Sequence, residues 1–281
     1  YENIIREASA NPDRLYYVIV PEQFTMQTQK DLCLAHPKGG IMNIDVLSFG
    51  RLAYRVFEEV GQDARVVLDD EGKNLVLRKI AGECEKDLKV FKGNLKKQGY
   101  ISEVKSVLSE FAQYGVDFER LDDFMKEVPP ESYLHYKLDD IRTIYEKFEE
   151  YLSEKYITKE EMLDVLSDAV PYSDILKGSV VAMDGFTGFT PVQNRLIGEL
   201  FSVCEKVMIT VTMDGRENPY VYEHPYQIFA LGKQMVTSLM KIAGEKKTEI
   251  EEPICLFERP VYRFRDCSEM AFLETELFRY S

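Results

Sequence analysis

Apolar and polar positions follow two different rhythms along the chain. Residues 15–20 (Leu-Tyr-Tyr-Val-Ile-Val) form a short apolar, β-rich run stopped by Pro21, and Ile44–Leu47 forms a second. Short apolar runs bounded by turn residues predict buried strands. Proline is tolerated in a first helical turn, so a helix is predicted over 21–34. His36-Pro37-Lys38-Gly39-Gly40 is loop chemistry, and Ser48 is placed to cap a helix running to Val60. This strand–helix alternation predicts a parallel sheet. From Asp69 to about Val170 the strand runs vanish and helical periodicity takes over. Leu134, Leu138, Ile141, Tyr145, Phe148 and Leu152 keep a 4-3-4-3-4 spacing, one apolar stripe on a long helix. Strand signals return at 179–184 and 206–212, with a helix over 191–203 between them. A further helix is predicted over 226–243, with strands near 250–256 and 261–264. The expected fold is therefore an α/β parallel-sheet domain, made of 1–68 and 171–281. An all-helical insertion subdomain over 69–170 interrupts it.

Composition narrows the classes. A chain of 281 residues with 45% hydrophobic content can bury a substantial core and has room for two subdomains. No apolar stretch approaches a membrane span, and no signal peptide is visible. The formal charge of −14 argues against a positive coat gripping duplex DNA, although a local strand-binding groove depends on local field rather than total charge. Cys33, Cys84, Cys204, Cys255 and Cys267 form no C-x-x-C pair, and with three histidines a zinc site is not expected. Reduced thiols in a cytoplasmic protein are the plain reading.

The chemistry-bearing motifs are incomplete. Val180-Val181-Ala182-Met183-Asp184 reads as a buried strand delivering a carboxylate to its carboxyl end, where P-loop hydrolases hold Mg²⁺. An active helicase places Glu directly after that Asp; here the position is Gly185. No G-x-x-x-x-G-K-[ST] loop exists: Gly72-Lys73 is followed by Asn74, and Gly232-Lys233 by Gln234. Glu103-Val104-Lys105 matches a nuclease triplet, but it lies in a helical stretch. The basic cluster Lys86, Lys89, Lys92, Lys96 and Lys97 reads as a solvated helical face.

Three segments together resemble one family. They are Tyr17-Val18-Ile19-Val20-Pro21-Glu22-Gln23-Phe24-Thr25, then Val46-Leu47-Ser48-Phe49-Gly50-Arg51-Leu52-Ala53-Tyr54-Arg55-Val56, then residues 183–193. Their order and spacing, with the helical block between them, resemble the amino-terminal part of the AddB/RexB family. Members of that family pair with AddA in bacterial ATP-dependent helicase–nucleases, which process double-strand ends for recombinational repair. The resemblance implies a P-loop helicase-like (RecA-like) domain that has lost motor function, reads the Chi sequence in emerging single-stranded DNA, and scaffolds the AddA subunit. It also implies that a P-loop-like sequence precedes this segment. Any ATP and Mg²⁺ then belong to the intact subunit, and an iron–sulphur cluster to a carboxy-terminal nuclease domain outside it. No cofactor is expected within the segment itself.

Carried onto this sequence, the resemblance makes Gln23, Thr25, Phe49, Arg51, Tyr54 and Phe186 the strand-reading positions. Asp184 and Gln193 would be remnants of the nucleotide and Mg²⁺ site. Aromatic faces stack unpaired bases, Arg offers a fork to guanine, and Gln can meet an adenine edge. By spacing alone, Phe49 and Tyr54 would instead face a core. Arg51 and Arg55 would then form a solvated face with Glu58 and Glu59. Two other functions stay open: a competent ATPase whose P-loop lies upstream, and a pure assembly module that reads no base.

Overall fold

A computed structural model of the chain describes residues 1–61, 65–94, 97–152, 155–256 and 262–277. The elements run α1 (Glu2–Ala10), β1 (Tyr16–Ile19), a 3-10 turn (Glu22–Phe24), α2 (Thr25–Ala35), β2 (Ile44–Leu47), α3 (Phe49–Val60) and β3 (Val66–Leu68). Four helices follow: α4 (Asp70–Cys84), α5 (Gln98–Tyr114), α6 (Phe118–Glu127) and α7 (Tyr133–Leu152). Then come β4 (Tyr156–Thr158), α8 (Glu161–Ala169), β5 (Val180–Met183), α9 (Pro191–Val203), β6 (Lys206–Ile209), α10 (Ala230–Lys246) and α11 (Ser268–Glu276).

The main sheet is wholly parallel, in the order β2-β1-β5-β6. Every residue of β1 and β5 is buried, as expected of central parallel strands covered on both faces. Side chains alternate across the pleat and so feed two cores. Tyr17, Ile19, Val181 and Met183 pack with α3, α8 and α9 on one face. Tyr16, Val18, Val180 and Ala182 pack with Ile4, Ile5 and Leu32 from α1 and α2 on the other. Ser48 caps α3 as expected, its Oγ accepting from the Arg51 backbone N–H at 3.4 Å.

A third core belongs to the helical block. Val76, Leu77 and Ile80 of α4, Ile101, Val104 and Leu108 of α5, and Ile141, Ile144, Phe148 and Leu152 of α7 close on Leu88 and Phe91 of the α4–α5 connection. The next segment, with Ile157, Met162, Leu166 and Ala169, returns to the sheet's core.

Several expectations are corrected. Strand pairing does not vanish after Asp69: β4 pairs in parallel with β3, Val66 opposite Tyr156. Strands of three residues are too short to leave a run in the sequence. Residues 250–256 form no strand; they run outside any regular element and are largely exposed. Val261 lies outside the described residues, and Tyr262–Phe264 is a 3-10 turn rather than a strand. The lysines at 86–97 sit on a turn-rich connection, not a helical face, and Lys96 lies outside the described residues. Lys89 pairs with Asp139 at 2.8 Å and stands over the Tyr136 ring.

A narrow cleft between α4, α5, α7 and the β4–α8 link holds one titratable group of consequence. Glu149 shares it with Lys73, Lys105, Tyr145 and Glu160. Burial, and then the nearby Glu161 carboxylate, push Glu149 up from 4.5 to about 7. Within that window the folded chain keeps a proton that the unfolded chain releases, so stability falls as pH rises through it. Discounted for partial exposure, the loss is on the order of 2 kcal/mol. Glu149→Gln is expected to recover that amount in urea denaturation at about pH 8 and to gain almost nothing at about pH 4.5. An equal gain at both values would show that the carboxyl is not held protonated by the fold.

Candidate nucleic-acid interface

The carboxyl ends of parallel strands open onto one edge of the sheet, where α/β proteins place their ligands. Four connections leave that edge: Pro21–Thr25 after β1, Ser48 and the start of α3 after β2, residues 184–190 after β5, and residues 210–229 after β6. Their sequence decides their paths. Pro21 ends β1, and Glu22–Phe24 takes a 3-10 turn before α2 begins at Thr25. Gly185 has φ +78°, in the left-handed region where a side chain is strained. A Glu there would meet that strain, although the nearest atom, Pro21 Cδ at 3.6 Å from where a Cβ would stand, leaves room for it. The glycine thus removes the carboxylate and fixes the turn.

Asp184 sits at the mouth of β5, and hydroxyls occupy both of its oxygens. Tyr1 donates to Oδ2 at 2.8 Å and Thr210, just past β6, donates to Oδ1 at 2.5 Å. Burial pushes the Tyr1 hydroxyl above its usual value; a hydrogen bond from Thr28 opposes this, and the Asp184 contact adds to it. Gln193 makes a capping box: its Oε1 accepts from the Thr190 N–H at 3.0 Å, while the Thr190 Oγ1 accepts from its own N–H at 3.3 Å. Its side chain therefore closes the amino end of α9. Among the described residues no group of three or more His, Cys, Asp or Glu side chains could hold a metal ion. The donor set around Asp184 does not by itself make a Mg²⁺ or nucleotide site.

The six expected strand-reading residues divide into two groups. Gln23, Arg51 and Tyr54 are exposed. The Arg51 guanidinium has no hydrogen-bond or ion-pair partner among the described residues, whereas Arg55 on the same helix is paired with Asp45. Thr25 and Phe49 are corrected to buried positions. The Thr25 hydroxyl donates to the Glu22 carbonyl at 2.9 Å. Phe49 packs against Phe186 at 5.4 Å and Phe189 at 6.4 Å between ring centres. Phe186 is half-buried, its ring also 5.2 Å from Phe189. These contacts cover Phe49 and leave it 7% exposed. The reading from the sequence missed Phe24, which is exposed in the first motif, and the hydroxyl partners Tyr1 and Thr210. Only the position of Phe24 inside a quoted motif pointed to it.

Fold and site together define a parallel α/β protein whose sheet presents at its carboxyl edge an exposed guanidinium, Arg51, and a glycine, Gly185, directly after Asp184. A family model described as "ADDB, N-terminal" matches residues 1–274, and the chain belongs to that family. It is 42% identical to the B chain of the ATP-dependent helicase/deoxyribonuclease of Lachnoclostridium phytofermentans, over all of this chain and 25% of that protein. The proteins of the same name from Clostridium acetobutylicum and Thermoanaerobacter pseudethanolicus are 33% and 36% identical, over 99% and 94% of this chain and 24% and 22% of theirs. The chain thus spans about a quarter of the length of these curated relatives. No described helix is long and apolar enough to cross a membrane.

Proposed function

We propose that this chain is the amino-terminal, RecA-like domain of an AddB subunit, carrying a helical insertion over about 69–170. In this reading it has no motor activity of its own, reads Chi in single-stranded DNA and scaffolds AddA in a complex that repairs double-strand breaks. The observation that carries the reading is the unpaired, exposed Arg51 at the carboxyl edge, one strand away from Gln23. Arg can fork onto guanine O6 and N7, and Gln can meet an adenine edge. Gly185 supports loss of the motor, because its backbone disfavours the Glu that hydrolysis requires. The loop Thr212-Met213-Asp214-Gly215-Arg216 after β6 contributes no Gln to sense a nucleotide. ATP and Mg²⁺ would bind, if at all, with residues of the intact subunit, and the iron–sulphur cluster would sit in its nuclease domain.

The test uses the full two-subunit complex degrading linear DNA that carries Chi. Arg51→Ala is expected to cut the Chi-dependent fragment about tenfold or more, the scale of a lost bidentate base contact, with the unwinding rate unchanged. Unchanged fragment yield would take base reading away from this edge and leave an assembly module.

A further inference from the structure

Of the three aromatic residues the sequence offered at this edge, Tyr54 is exposed while Phe49 is covered and Phe186 half-buried. Phe49 is 7% exposed under Phe186 and Phe189, and Phe186 is itself half-buried in that three-ring cluster. Phe24 is the opposite case. It ends the 3-10 turn Glu22–Phe24 and is 49% exposed. Its Cδ2 lies 4.0 Å from where a Cβ on Gly185 would stand, which places the ring's edge beside the loop after β5. A half-exposed ring beside a glycine leaves room for a base to lie against it.

Its neighbours give it direction. Gln23 precedes it in the same turn. Across Gly185 the chain passes to Phe186, which touches Phe49 at the start of α3, and α3 carries Arg51 and Tyr54. From β5 to β2 is two strand steps, about 10 Å, the scale of one or two unstacked nucleotides. We infer that Phe24 is a base-stacking residue of this interface, taking an unpaired base of single-stranded DNA on its open face between the Gln23 and Arg51 contacts. This rests on the strand-reading function proposed above. The alternative, a ring that merely shields Pro21 and Gly185, predicts that any apolar side chain of similar size serves as well.

The experiment compares Phe24→Leu, Phe24→Tyr and Arg51→Ala in the full two-subunit complex on Chi-bearing linear DNA, scoring the Chi-dependent fragment and the unwinding rate. Stacking predicts that Phe24→Leu lowers recognition about fivefold or more, while Phe24→Tyr, which keeps the π face, stays near wild type. Unwinding should be unchanged in all three. Full recognition by Phe24→Leu with loss in Arg51→Ala would overturn the Phe24 assignment and leave the strand-reading function standing. Full recognition by both variants would overturn the two together. Equal losses in Phe24→Leu and Phe24→Tyr would show that the ring acts by shape and not by stacking, which also overturns the assignment.

Discussion

Asp140→Ala is expected to lower the unfolding free energy by about 4 kcal/mol, among the largest single effects in this chain. Asp140 is 1% exposed and projects from α7 into the α4–α5 connection. Its Oδ1 accepts from the Lys89 N–H at 2.8 Å, and its Oδ2 accepts from the N–H groups of Val90 and Phe91 at 2.7 and 2.8 Å. Those three donors have no helix or strand to satisfy them. One carboxylate holds the connection in the shape that turns Leu88 and Phe91 into the helical core. Removing it leaves buried donors unmet, each costing about 1–3 kcal/mol, partly relieved as the loop opens to water. The neighbour Asp139 is the control, since it meets Lys89 through a partly exposed side chain. Asp139→Ala should cost under about 1 kcal/mol. Equilibrium urea unfolding followed by circular dichroism separates the two. If Asp140→Ala falls within about 1 kcal/mol of wild type, the connection is organised by its apolar contacts alone.

Asp140 also marks the limit of what periodicity can show. The apolar stripe on α7 was legible from Ile141 through Phe148 to Leu152, all of them buried. At its amino end it was not: Leu134 is 52% exposed, and the buried face there turns toward Asp140 and Ile144. A polar residue needed by a distant loop breaks a pattern defined by hydrophobicity. The Ile44–Leu47 strand, the Ser48 cap and the Pro191–Val203 helix were all legible, because each rests on local signals of a few residues. The helix expected from Tyr226 begins at Ala230, since residues 210–229 form an extended connection with no periodicity to mark its end.

The site was legible in outline for the same reason. Asp184 stands at the carboxyl end of its strand, and Gly185 takes the left-handed turn that its lack of a side chain allows. Burial within the motifs was not legible, because it depends on which loop lies over which. Phe49 is covered by Phe186 and Phe189, more than 130 residues further along. Phe24 ends a 3-10 turn that the sequence did not show, and it is left 49% exposed. Gln193, expected as a helicase remnant, has its side chain in the capping box of α9, which the sequence reading did not anticipate. Order along the chain decides which residues reach the edge of the sheet; the packing of separate loops decides which of them a strand could touch.

The same distinction gives the last prediction. Gly72-Lys73 has the look of a phosphate-binding fragment, yet Lys73 is 2% exposed and faces protein. Its Nζ donates to both Glu160 oxygens, at 3.0 and 2.7 Å, and to Ser109 Oγ at 3.2 Å, with Asp70 at 3.9 Å. The pair joins α4 of the helical block to the link that leads into α8 and the sheet's core. Lys73→Ala leaves a shielded Glu160 without its cation and is expected to cost about 3–5 kcal/mol. Replacing the whole pair, Lys73→Met with Glu160→Leu, restores apolar packing at similar volume and should cost much less, within about 1–2 kcal/mol of wild type. The difference between the double variant and the sum of the Lys73→Met and Glu160→Leu singles measures the coupling, expected at about 3 kcal/mol or more. Additive losses would mean that Lys73 and Glu160 act through Ser109 and Asp70 separately, and that the two cores are not joined by this pair. Strong coupling instead predicts that amide hydrogen exchange in α4 and α8 rises together in Lys73→Ala, because one contact holds both.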